Sequence, residues 1–123
     1  MHIGEVAART ELSLRSLRHW EEVGLLTPSG RTEGGFRLYT EADVDKIMVI
    51  RRMKPLGFSL DHMKAAMVDI ETLASDEADP DAQDTARERL RITQQDAVER
   101  RQKLVAQLAM ADEFLDLISG RLI

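Results

Sequence analysis

Ser13-Leu14-Arg15-Ser16-Leu17-Arg18-His19-Trp20 sets Leu14, Leu17 and Trp20 on one face of a helix and leaves only hydroxyl or basic side chains elsewhere. Ser13 has the chemistry of an N-cap, and no carboxylate interrupts the polar face. Laid in a major groove, such a helix offers a phosphate site at Ser13 and the first free amides. Ser16 and His19 are further polar donors, and Arg15 or Arg18 can reach guanine edges. On these residues alone, a solvated amphipathic helix explains the pattern equally well.

Before this stretch, Ile3, Val6 and Ala7 recur at helical spacing. Gly4 is a candidate N-cap, and Glu5 lies near the positive end of the dipole. Two short helices joined tightly make a helix-turn-helix. After it, Gly24 breaks the pattern, and Thr27-Pro28-Ser29-Gly30-Arg31-Thr32-Glu33-Gly34-Gly35-Phe36-Arg37-Leu38-Tyr39 reads as a two-stranded wing. Phe36 and Leu38 point to one side of its second strand, Arg37 and Tyr39 to the other. An outward Arg37 suits DNA, whereas packing in the core is preferred for Tyr39. Arg31 is a weaker DNA candidate, since it can pair with Glu33 on the surface.

Thr40-Glu41-Ala42-Asp43 fits a capping box and opens a third helix with Val44, Ile47, Met48 and Ile50 for burial. Pro55 predicts an irregular helix end and Gly57 a stop. Ser59 then caps a fourth helix bearing Leu60, Met63 and Met67. Asp79-Pro80 starts the last and longest helix, for which Gly120 is the expected stop. Its 4-3 spacing picks out Leu90, Gln94, Ala97, Arg101, Leu104, Leu108, Ala111, Leu115 and Ile118. The seam is apolar chiefly from Leu104 onward. A helix of that length extends about 60 Å, further than the N-terminal domain can cover, so a second chain is expected along Leu104, Leu108, Ala111, Leu115 and Ile118.

Charge separates the same two regions. The formal net charge is -5, yet residues 1–69 carry ten basic and ten acidic side chains, whereas residues 70–123 carry seven and twelve. The acidic tail repels DNA and the N-terminal part does not. We expect a DNA-binding domain over 1–69, a linker over 70–79, a dimerisation helix over 80–119 and a tail over 120–123.

With no cysteine there is no disulfide, thiolate metal site or cysteine-held cluster. His2, His19 and His62 are too scattered for a metal centre, so neither metal nor cofactor is expected. No nucleophile, base and orienter occur together, which argues against an enzyme. Met48, Met53, Met63 and Met67 suit gap-filling in a core better than a ligand pocket. No apolar run approaches a membrane span and no signal peptide is present, so a cytoplasmic location without membrane contact is expected.

Ile-Gly-Glu-Val-Ala at 3–7, Leu-Arg-His-Trp-Glu at 17–21, Gly-Leu-Leu at 24–26, Gly-Phe-Arg-Leu-Tyr at 35–39 and Leu-Gly-Phe-Ser-Leu at 56–60 together resemble the MerR family of transcription regulators. The resemblance covers roughly residues 2–68. It implies a mainly α fold, with a winged helix-turn-helix followed by a helix that dimerises as an antiparallel coiled coil. It further implies that the Ser13 helix enters the major groove, with Arg15, Arg18, His19, Arg37 and Tyr39 where the family meets DNA. Two positions depart from the pattern: Glu11 stands where the family usually has Gly, and His19 where it commonly has Tyr.

The expected function is that of a homodimeric, sequence-specific regulator of an inverted-repeat promoter operator, acting by bending or untwisting double-stranded DNA. RNA polymerase is a further candidate partner. Since this sequence ends soon after the dimerisation helix, no separate ligand-binding domain is expected. An architectural DNA-bending protein and a protein-interaction adaptor are the alternatives; preference for one sequence over random DNA separates the three.

Overall fold

Val6 of the first helix and Leu17 of the second, both with no exposed surface, belong to one buried cluster. The structure, a computed structural model, describes all of residues 1–123. Helix α1 (Ile3–Thr10) begins where the Val6 amide bonds the His2 carbonyl, so Gly4 lies inside the helix rather than capping it. Glu11 ends α1 in the left-handed region, with φ 57°, and its amide returns to Ala7 O. Helix α2 (Leu14–Glu22) follows, with Ser13 Oγ accepting the Ser16 amide at 3.0 Å, as expected. Leu17 and Trp20 are buried, but Leu14 is 39% exposed, so the buried face of α2 starts a turn later than its periodicity suggests.

Strands β1 (Gly30–Arg31) and β2 (Arg37–Leu38) form the antiparallel wing, pairing Gly30 with Leu38 and Arg31 with Arg37. Its turn closes through the Thr32 amide to Phe36 O and the Gly35 amide to Thr32 O, with Gly35 at φ 83°. Helix α3 (Glu41–Met53) starts with the complete Thr40/Asp43 capping box. Pro55 lies in a 3₁₀ turn over Lys54–Leu56, which Gly57 closes with φ 79°; this is the irregular end expected there. Helix α4 (Leu60–Ala74) is capped by Ser59 and occupies half of the 70–79 segment.

Helix α5 (Pro80–Arg121) has 42 residues and spans about 60 Å. Asp79 precedes it but makes no side-chain cap, and the helix passes through Gly120 instead of stopping there. A single glycine costs a helix only about 1 kcal/mol, too little to end one this long. The first half of α5 packs on its own domain. Ala86 is fully buried, Arg89 forms a bidentate pair with Asp69, and Ala97 lies against the core. Arg100 donates to the carbonyls of Leu56 and Gly57, at 3.2 and 2.9 Å, and its guanidinium lies 4.5 Å from the Phe58 ring. Every residue from Arg101 onward is exposed, so the intrachain domain covers more of α5 than the seam pattern alone implies.

One cluster of twelve buried residues joins α1, α2, the segment after α2, the end of the wing, α3 and α4. Met63 and Met67 belong to it while Met48 and Met53 pack on its edge, as gap-filling residues do. No helix is long and apolar enough to cross a membrane.

Candidate nucleic-acid interface

The exposed side of α2 is concave. Leu14, Arg15, Ser16, Arg18, His19, Glu22 and Lys54 line an open depression of about 830 Å³ in which Glu22 is the only acid. Arg15, Arg18 and His19 are exposed and unpaired there. Ser13 Oγ accepts from the Ser16 amide, and the Ser13 hydroxyl donates to Ser16 Oγ at 2.9 Å. The Ser13 hydroxyl and the Ser16 amide are thereby taken, which leaves the Leu14 and Arg15 amides and the side chains behind them as phosphate donors. Lys54 was not among the candidates, because the sequence marks it only as the residue before Pro55. The 3₁₀ turn carries it to α2, with Nζ 5.5 Å from the centre of the Trp20 ring.

The wing is seated differently from its alternating pattern. Phe36, expected to share a face with Leu38, is 69% exposed, whereas Tyr39 is 2% exposed and belongs to the core. Tyr39 also gives its amide to Met1 O, which ties the base of the wing to the N-terminus. Arg37 turns inward with Tyr39, so both bear on Glu21 of α2. The Arg37 Nε is buried beside Glu21 Oε2, and the Tyr39 hydroxyl donates to that oxygen at 3.5 Å. Arg31 does not pair with Glu33. Its guanidinium reaches Glu21 Oε1 at 3.0 Å and Gly35 O at 3.1 Å. Burial raises the Tyr39 pKa and the Glu21 carboxylate raises it further, against the opposing pull of Arg37.

Glu21 carries no local signal in the sequence, where it is one of two adjacent carboxylates ending a basic helix; its partners lie 10 to 18 residues away. At the helix turn, Glu11 points its exposed carboxylate to Arg51 at 3.2 Å. On the distal half of α5, Leu104, Leu108, Leu115 and Ile118 are 40%, 61%, 59% and 38% exposed, and Ala111 is exposed between them. Met110, Phe114 and Leu117 widen this apolar surface on one side.

Comparison with known proteins gives a consistent result. The MerR HTH family regulatory protein model matches residues 1–69. The regulator CueR of Vibrio cholerae is 43% identical over 76 residues, which are 62% of this chain and 52% of CueR. The chain thus spans about half the length of this curated relative. Among solved structures, HiNmlR, a MerR family regulator lacking the sensor domain and bound to promoter DNA, aligns with a TM-score of 0.63 at 26% identity. The alignment covers 98% of this chain and 86% of that one. A putative MerR family regulator from Listeria monocytogenes has the same fold, with a TM-score of 0.69 at 20% identity over 96% of this chain and 83% of its own.

Proposed function

Since the chain belongs to the MerR family of helix-turn-helix regulatory proteins, we propose that it is a sequence-specific DNA-binding transcription regulator, acting as a homodimer on an inverted-repeat promoter operator. The observation that carries this reading is the α2 surface. Arg15, Arg18, His19 and Lys54 converge on one open concavity in a chain whose total charge is negative. Charge of the right sign is concentrated where a major groove would lie, and the acidic excess lies beyond residue 69, most of it at Glu71, Asp76, Glu77 and Asp79. HiNmlR, similar over nearly the whole chain and bound to promoter DNA, supports DNA as the partner.

In this reading α2 contacts base edges through Arg15 and Arg18, with Ser13, Ser16 and His19 around the helix start. The wing follows the adjacent backbone through Arg31 and Arg37. Tyr39 acts from within the core by positioning the wing. The distal halves of two α5 helices pair antiparallel along Leu104, Leu108, Ala111, Leu115 and Ile118 and hold the two domains apart. DNA bends or untwists to meet both, since bending by 40 to 90° costs only about 1 to 6 kcal/mol. A promoter reshaped in this way alters the access of RNA polymerase.

Selection of bound duplexes from a random library tests the function. One enriched inverted repeat is the expected result, and Arg18→Ala should weaken its binding by about 1 to 3 kcal/mol with the fold intact. Lys54→Ala should weaken all duplexes alike and lower the salt slope by about 1. Recovery of no enriched sequence would remove the reading.

A further inference from the structure

We propose that Glu21 is a positioning residue that fixes the wing against α2 and so determines how well the protein distinguishes its own operator from random DNA; the proposal rests on the DNA-binding reading above. One carboxylate, 13% exposed, holds both strands of the wing. Arg31 on β1 reaches Oε1 at 3.0 Å, and its cross-strand partner Arg37 on β2 lies beside Oε2, where the Tyr39 hydroxyl also donates. The ladder itself is two residues long on each strand, too short to define its own orientation. Besides Glu21, the wing is anchored at its base, where the Tyr39 amide meets Met1 O and the Met1 ammonium meets Tyr39 O, and where Ser29 donates to Asp43 of α3. Of these ties, the ones that reach the recognition helix itself are those to Glu21.

The charges give this arrangement its consequence. Two guanidinium groups share one carboxylate, so DNA meets a wing with one positive charge less than its arginines carry. Neutralising Glu21 releases both groups, which can then pair with any nearby phosphate. Contacts made this way are blind to sequence, while loss of the fixed wing angle weakens the seating of α2 on its operator.

Glu21→Gln tests the proposal, since the amide keeps the size of the side chain and removes its charge. Tyr39 is the single tyrosine, so tyrosinate absorbance reads the clamp without DNA. In the variant its titration midpoint should fall, because the carboxylate that raises it is gone while Arg31 and Arg37 still favour the tyrosinate. With the selected duplex and a random duplex of equal length, the salt dependence should steepen by about 1 to 2 in slope. The preference for the selected duplex should fall by about tenfold.

If Glu21→Gln lowers the helical circular dichroism, Arg37→Gln breaks the same clamp from the wing side and should raise the Tyr39 midpoint. An unmoved Tyr39 midpoint, or an unchanged salt slope and preference in a wild type that does bind, overturns the role of Glu21 alone. A wild type that binds neither duplex overturns the DNA reading, and with it the discrimination.

Discussion

Glu11 is a residue whose backbone and side chain pull in different directions. Its φ of 57° is costly for an L-residue, by about 1 to 2 kcal/mol, and its exposed pair with Arg51 recovers only a surface interaction of about 0 to 1 kcal/mol. Glycine adopts this conformation freely, although it loses more entropy on folding. Glu11→Gly should therefore raise stability by about 0.5 to 1 kcal/mol, read by urea unfolding. A fall in the unfolding midpoint would contradict the strain. The departure from the family's usual Gly at position 11 was legible, and the left-handed backbone there is its structural counterpart. The partnership with Arg51 was not, since 40 positions separate the two.

Among the elements, α3 shows how a cap can also hold a distant loop. Burial alone would raise the Asp43 pKa. Hydrogen bonds from the Ser29 hydroxyl at 2.6 Å, the Thr40 amide at 2.9 Å and the Ser29 amide at 3.2 Å outweigh it, and the net shift is downward. A carboxylate with a lowered folded pKa gives its full stabilisation above the unfolded value, about 3.9, and loses it as pH falls through the folded value. Asp43→Asn should cost about 1 to 2 kcal/mol at neutral pH, and the variant should lose less stability than wild type on acidification below pH ~4. Parallel acid-unfolding curves would show that the charge has no part. The Thr40/Asp43 box was legible within four consecutive residues, whereas the tie to Ser29 became visible only once α3 and the wing were packed together.

For the whole molecule, the decisive feature is the division of α5. Up to Arg100 it is held by Asp69, Leu56, Gly57 and the core, and beyond that point its apolar side chains have no partner within the chain. Leu108→Asp should convert a dimer into a monomer by light scattering, because lost burial and added desolvation together exceed about 3 kcal/mol per site. A variant that stays dimeric at low concentration would place the interface elsewhere. The clamp at Glu21 and the docking of α5 leave little slack between the two reading heads of such a dimer. Adding one base pair between half-sites rotates one by about 34° and should weaken binding sharply. Indifference to that insertion in a binding titration would exclude a rigid pair of readers.

The sequence by itself determined the order of elements, the caps at Ser13, Thr40 and Ser59, the irregular turn at Pro55 and the family, because each signal lies within a few consecutive residues. It also separated the basic face of α2 from the acidic tail. The sequence also favoured Tyr39 in the core, but tertiary structure alone decided that Arg37 turns inward with it and Phe36 outward, that Lys54 joins the α2 surface, that Glu21 gathers Arg31 and Arg37, and where α5 leaves its own domain. Alternation in a strand fixes which residues share a face but not which face is buried, because burial depends on the helix packed opposite. Likewise a charged side chain carries no local mark of its partner; the pair exists only after the core has brought distant segments within hydrogen-bonding distance.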